Sequence, residues 1–393
     1  MKKTNCFITR FGLVLLVIFS FVSCASQEDK TGDEQLATDS TQVSQTAPAT
    51  IDSLIEYTAD DLRQAENRAQ LTLEYTWSYE STGDDHKAFY IPRDIEVASN
   101  GDILVLDNGN NRIQVFDSTR AFLRTLGEEG TAPGEFQMPQ DLLWIPPDQI
   151  LVTQPLQKRI QILNSHGEYM QGFMTEGHIE EAKLFDDSTF IASDSRRAGN
   201  PEHHLLRIYN LVGEYVRGIG LHKYVEESPS YGLMGVCIAL DDVQNIYAGY
   251  VIKSHLEKYA PSGELMQSLY FDLPIKHAGV QQTIYDLKYS NRYLYALVAN
   301  RAKSEKEWGI GRLSSTFTAA GPTNTHYFMN HGVESEETDL YRLLIFDQWG
   351  RLVSSNLLTK YVSKITVHQN TLYLVDSFVG MKIYEYAIHL PAR

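Results

Sequence analysis

The residues of this chain that could do chemistry fall into two kinds. His203, His204, His255, His326 and His331, with the carboxylates Asp107, Asp194 and Asp376, are the material of a metal site. A zinc site needs three or four such ligands converging on one point, and three carboxylates around one mouth could take a cation. None of the histidines stands in a ligand spacing, and His203-His204 follow a Gly-Asn-Pro loop, so solvated loop histidines are the plainer reading. The second kind is recognition. Arg196, Arg197 and His204 suit an anionic ligand, and Arg159 and Tyr250 belong to the same set. Trp308, Phe317, Tyr327 and Phe328 lie in a glycine-containing stretch, where aromatics stack on sugar rings or peptide side chains or pack on one another as a cap. The sequence has no Ser-centred nucleophile elbow, Gly-rich phosphate loop or CxxC motif.

The elements that must position these residues are short β-rich runs separated by turn residues. Second strands are expected at Ile103–Asp107, Ile150–Gln154, Phe190–Asp194, Ile246–Tyr250, Leu294–Val298 and Leu372–Asp376. Each is followed by a third strand, as in Arg112-Ile113-Gln114-Val115-Phe116 and Arg159-Ile160-Gln161-Ile162-Leu163, and a Gly turn closes units two to five at Gly167, Gly213, Gly263 and Gly350. A repeat of this length, with four short strands per unit, predicts an all-β, six-bladed β-propeller over residues 71–393. The fifth unit carries an insertion at about 300–339. The sixth unit runs out after its third strand, while Leu71 to Tyr79 is a strand without a unit. Supplying the missing outer strand, it would close the ring and cover an edge open to aggregation. The loops between second and third strands then share one face, which gathers Arg159, Asp194, Arg196, Arg197, His203, His204, Tyr250, Trp308, His326 and Asp376 as the candidate ligand-binding side. On that face Asp107, Asn110 and Arg112 are expected to fix a tight loop and pair neighbouring blades.

Ahead of the repeats the chain changes character. Lys2, Lys3 and Arg10 precede an apolar run from Phe11 to Val22, shorter than the roughly 20 residues a transmembrane helix needs, so residues 1–23 read as a signal segment. The run ends in Phe21-Val22-Ser23-Cys24, which resembles a bacterial lipobox. That resemblance implies a lipid on Cys24, which would become the mature N-terminus. Ala25, with no Asp at that position, and the acidic Glu28 and Asp29 resemble the outer-membrane and surface-export signals of Bacteroidota lipoproteins. Residues 24–53 are rich in Ser, Thr, Gln and acids, and read as a flexible tether. Thr58-Ala59-Asp60-Asp61 looks like a helix N-cap, so residues 54–70 read either as a short helix that reaches Ala69 or as a polar linker with transient helix. Cys237, the cysteine left outside these segments, reads as a buried small hydrophobe in an apolar run.

The first two units carry a family resemblance. Pro92-Arg93-Asp94-Ile95, Gly101-Asp102-Ile103-Leu104-Val105-Leu106-Asp107, Asn110-Asn111-Arg112-Ile113-Gln114-Val115-Phe116 and Gly127 to Phe136 look like NHL repeats. The whole is similar to six-bladed propeller lipoproteins of Bacteroidota-like bacteria. Some NHL-type lyases and lactonase-type propellers hold a metal over the central channel, so the resemblance keeps a metal-dependent hydrolase or lyase as the alternative function. The acidic ligand set of the lactonase type is not visible, and no cofactor is predicted beyond the lipid. The formal charge is −16, and loss of the three cations of residues 1–23 with no anion makes it −19. A surface that acidic repels phosphate backbones, which disfavours nucleic acid as a partner. The reading that results is a non-enzymatic scaffold, anchored in the envelope by its lipid. It would present a propeller face to an envelope protein or to a small-molecule, glycan or peptide ligand.

Overall fold

The computed structural model describes residues 54–77, 88–194, 204–221, 236–251, 253–272, 284–299, 337–377 and 379–391. Among them are six four-stranded antiparallel blades. Blade 1 is built from β3 (Pro92–Val97), β4 (Ile103–Asp107), β5 (Arg112–Phe116) and β6 (Phe122–Leu126). Blade 2 has β7 (Asp141–Ile145), β8 (Gln149–Gln154), β9 (Arg159–Asn164) and β10 (Tyr169–Met174). Blade 3 comprises β11 (Ile179–Asp186), β12 (Thr189–Asp194), β13 (His204–Asn210) and β14 (Tyr215–Leu221). In blade 4, β15 (Val236–Leu240), β16 (Ile246–Tyr250), β17 (His255–Tyr259) and β18 (Leu265–Phe271) follow one another. Blade 5 is formed by β19 (Ile284–Ser290), β20 (Tyr293–Ala299), β21 (Glu337–Asp347) and β22 (Leu352–Lys360). Blade 6 has β23 (Lys364–His368), β24 (Thr371–Asp376) and β25 (Lys382–His389), and takes its outer strand, β2 (Gln70–Trp77), from the other end of the chain.

That exchange closes the ring as the sequence predicts, with Leu71 opposite Ile388 and Trp77 opposite Ile383. The joint between blades 6 and 1 is held by Glu385, which is fully buried. It accepts from the Trp77 indole and from Arg120 Nε at 2.9 and 3.0 Å. Arg120 sits at φ +72, at the hairpin position where Gly167, Gly213, Gly263 and Gly350 take φ between +83 and +95 in blades 2 to 5. An L-residue with a Cβ is strained there by about 1–2 kcal/mol. The guanidinium's bond to Glu385 offsets that strain.

The core is divided rather than central. Six apolar clusters lie between successive blades, such as Leu104, Leu106, Leu142 and Val152 between blades 1 and 2, and Tyr295, Leu343, Leu372 and Leu374 between blades 5 and 6. Because each blade is buried on both faces, its second strand reads as a continuous apolar run such as Ile103-Leu104-Val105-Leu106. A second seam lies further out. The polar side chain of an outer strand donates to a carbonyl in the next blade's hairpin turn: Arg124 to Ser165, Gln171 to Leu211, Arg217 to Pro261 and Gln267 to Trp349.

Residues 54–77 differ from expectation in two respects. Helix α1 (Ala59–Gln64) starts at the Thr58 capping box but spans only six residues rather than reaching Ala69. Residues 54–57 are a strand, β1 (Leu54–Tyr57), added parallel to β18 as a fifth strand of blade 4. After α1 the backbone bridges β22 through Glu66 and Ser355 before entering β2. The Tyr57 hydroxyl donates to Gly350 O and accepts from Leu352 N. The helix stops early because this segment is a belt across blades 4, 5 and 6, held by strand pairing. No described helix is long and apolar enough to cross a membrane. The predicted signal segment, the tether and the fifth-blade insertion through residue 336 lie outside the described residues.

Candidate functional site: a ring of charged groups in the channel

The inner strands β3, β7, β11, β15, β19 and β23 line the channel, and in four of them one position carries a carboxylate that bonds to the next blade. Asp94 accepts from Leu142 N at 3.0 Å, Asp141 from Ala182 N at 2.9 Å, and Glu181 from Ile238 N at 3.1 Å. Asp286 accepts from Ile365 N at 2.8 Å. Each carboxylate thus satisfies an amide of the following inner strand, a charge-assisted bond that ties one wedge to the next.

Two of the six positions depart from this rule, and the departures are locally compensated. Cys237 cannot accept as a carboxylate does, so its thiol donates to Tyr285 O at 3.1 Å. The Leu287 amide turns to Asp286 Oδ1 of its own strand at 2.9 Å. At the sixth position stands Lys364, a cation with no acceptor to offer. Here the Ile95 amide uses Asp94 Oδ1, also at 2.9 Å, and the Thr366 hydroxyl makes the link between blades by donating to Ile95 O at 2.8 Å.

Lys364 instead turns inward. Its Nζ lies 3.0 Å from Asp141, 3.4 Å from Glu181 and 3.9 Å from Asp286. Lys183 sits 2.8 Å from Glu181, and Lys288 3.8 Å from Glu96. The electrostatics follow from this arrangement. Burial disfavours the charged form of Lys364, but Asp141, Glu181 and Asp286 outweigh it and hold the ammonium well above the usual lysine range. Burial would raise Glu181, yet Lys183 and Lys364 keep its carboxyl below the ordinary value. Asp286 and Glu96 go the other way, burial lifting both despite lysines nearby. At the loop end of β3, burial pushes Arg93 down to about 10, against the attraction of Glu180.

Glu181, Cys237 and Asp286 form the one described group whose donor atoms all lie within 4.8 Å of one another, as metal ligands must. They do not fit a resident ion. Glu181 gives one oxygen to a backbone amide and turns the other to Lys364, while both Asp286 oxygens accept from backbone amides. Burial drives the Cys237 thiol well above its usual range, so it is held protonated rather than as the thiolate that binds metals. The cation at this place is Lys364. In the folded protein Cys237 is therefore expected to resist iodoacetamide at pH 8 and to react rapidly in denaturant. Peptide mapping by mass spectrometry checks this, and fast labelling of the native protein would contradict it.

The sequence-predicted face is only partly brought together. Arg196, Arg197, His203, Trp308 and His326 lie outside the described residues, and for Asp194 only the strand end is described. Arg159 donates to Thr131 O and Ala132 O and to Gln161, which shapes the loop entering blade 2. His204 opens β13 with its ring against Gly218. Tyr250 is buried and donates to Glu257, while His255 is stacked between the Tyr250 and Tyr270 rings at 4.9 and 4.1 Å. Asp376 accepts from Val379 N and Gly380 N. As expected, Asp107 fixes its loop, accepting from Tyr90 N, Asn110 and Arg112. Asn108 and Asn111 of the same loop bond to Pro139 O and Met138 N of the next blade.

The channel ring itself went unrecognised in the sequence. Its signal is an inner strand opening with an acid before an apolar residue, as in Asp94-Ile95, Asp141-Leu142, Glu181-Ala182 and Asp286-Leu287, with Cys237-Ile238 and Lys364-Ile365 in phase.

The NHL repeat model matches residues 89–116, in the first blade. A member of the DUF4221 family from Bacteroides vulgatus superposes with a TM-score of 0.60 at 12% identity, covering 84% of this chain and all of that one. A Bacteroides fragilis protein described as exported gives 0.55 at 11% identity, over 86% of this chain and all of its own. Streptogramin B lyase, at 0.48 and 12% identity over 79% of this chain and 82% of its own, is too distant to bear on function. No curated protein matches in sequence. Fold and repeat together make the chain an NHL-like six-bladed β-propeller.

Proposed function

We propose that the chain is a lipid-anchored scaffold of the bacterial cell envelope that binds a protein or small ligand and carries out no chemistry of its own. The observation that carries this reading is the channel ring. In catalytic propellers the channel would be the place for a metal and its base, whereas here its acids bond the next blade's amides or face lysines. Groups spent on holding a ring together are poorly placed to bind and release a substrate. The loop face, with Arg196, Arg197, His203, Trp308 and His326, is the ligand side in this reading. The lipobox-like Phe21 to Cys24 supports the anchor, and the Bacteroides fragilis protein of similar fold that is described as exported supports the envelope location.

The anchor is testable directly. Cys24→Ala is expected to abolish palmitate labelling and to move the protein from the membrane to the soluble fraction. Retention in the membrane with undiminished labelling would remove the anchor from the proposal.

A further inference from the structure

The outer rim of the propeller is unevenly protected. Blade 4 is covered by β1 and blade 5 is bridged at Glu66, which leaves β2, β6, β10 and β14 as the outermost described strands of the other blades. Edge strands normally carry charges that discourage pairing with another chain. Glu74, Arg124 and Arg217 do so in β2, β6 and β14, but β10, Tyr169-Met170-Gln171-Gly172-Phe173-Met174, has no charge and no proline. Three of its apolar side chains face water: Tyr169 is 41% exposed, Met170 49% and Met174 68%. The one polar side chain, Gln171, is turned away to Leu211 of the next blade. Thr175 N bonds inward to Lys158 O. By the alternation of an antiparallel pair, Gly172 and Met174 therefore turn their amides and carbonyls outward.

We propose that β10 is a strand-addition site for a partner protein, taking an extended segment that is apolar at alternate positions and basic at both ends. The chain itself shows that such an edge accepts a fifth strand, because β1 lies in register along β18 from Leu54–Ser268 to Tyr57–Phe271. The charges at the two ends select the occupant. Glu168 and Glu176 flank β10, both exposed; Glu176 lies 3.6 Å from Arg207 yet keeps 81% of its side chain open. The whole chain carries −16, so a second copy is repelled while a basic-ended segment is drawn in. Backbone pairing supplies affinity in this mode, and the adaptable methionines receive side chains of varied shape. The inference builds on the scaffold reading by naming one contact surface and the class of its partner.

The probe is a fluorescein-labelled peptide, Lys-Lys-Val-Thr-Val-Thr-Val-Lys-Lys, with a glutamate-ended version as control. Binding is read by anisotropy and located by amide hydrogen exchange on the full chain. The lysine-ended peptide is expected to bind at least about tenfold more tightly than the control and to slow exchange at Gly172 and Met174. The double variant Met170→Glu/Met174→Glu adds negative charge, so a purely electrostatic attraction would strengthen. Strand addition predicts weakening of about tenfold or more, with Leu73→Glu on β2 as an inert comparison. Binding undiminished in the double variant, or protection confined to another surface, overturns the inference while leaving the scaffold reading in place. Self-association abolished by the same variant also overturns it, since the occupant is then a second copy. Binding nowhere on the molecule counts against both.

Discussion

Lys364→Met is expected to lower folding stability by about 3–5 kcal/mol, the cost of removing one partner from a buried charge cluster. Methionine keeps most of the side-chain volume, so packing contributes little to the loss. What remains is Asp141, Glu181 and Asp286 facing one another in the channel without the ammonium that lies within 3.9 Å of all three. The pH dependence gives a second check. Asp286 and Glu96 already hold their protons above the ordinary carboxylate range in the folded state. A group with a raised folded value binds protons more readily folded than unfolded, so lowering the pH toward that value favours the fold. Lys364 pulls both of these down, so without it Asp286 and Glu96 are pushed further up, and the deficit should shrink from pH 8 to pH 5. Urea denaturation at the two pH values measures this. A loss below about 1 kcal/mol, or one that grows on acidification, would show that the ring's charges are solvated and Lys364 is incidental.

Glu385→Ala should cost about 3 kcal/mol, at the lower end of the range for breaking a buried pair, because Arg120 is 34% exposed and can return partly to water. The carboxylate joins three separate pieces of chain: the Trp77 indole on β2, the Arg120 guanidinium in blade 1 and its own strand β25. Its loss therefore loosens the closure of the ring rather than one blade. Amide exchange should accelerate first in β2 and β25. Arg120→Gly and Arg120→Ala separate the contributions, since both remove the ion pair but only glycine relieves the positive φ, so Arg120→Gly should cost about 1–2 kcal/mol less than Arg120→Ala. Equal losses for the two variants would mean that the strain at Arg120 is negligible.

The propeller was legible because its signals are local. Apolar runs such as Ile103 to Leu106 recur from unit to unit and the glycines at φ near +90 recur in units two to five, so the second strands fall within a residue or so of expectation. The closing strand was legible because an orphan strand and an incomplete unit complete each other. The channel ring was not, because its members are single residues whose partners lie one blade away. Asp94 stood inside a recognised repeat motif, yet nothing local distinguishes a carboxylate that caps Leu142 N from one that faces water. Cys237 reads as a small apolar residue and is buried as such, but its position in the ring appears only when six strands are brought around one axis. β1 was hidden for a related reason: Leu54-Ile55-Glu56-Tyr57 pairs in parallel with residues 268–271, and no hairpin announces that pairing.

Lys364 holds the cation's place in the channel, and the ring is structural. The most direct measurement is metal content by inductively coupled plasma mass spectrometry, on protein offered calcium, zinc and manganese and then dialysed, with the thermal midpoint recorded before and after chelation. Less than stoichiometric metal and an unchanged midpoint are expected. One equivalent of bound metal that stabilises the fold and disappears in Glu181→Gln would contradict this structural role, and would return the channel to the hydrolase or lyase reading.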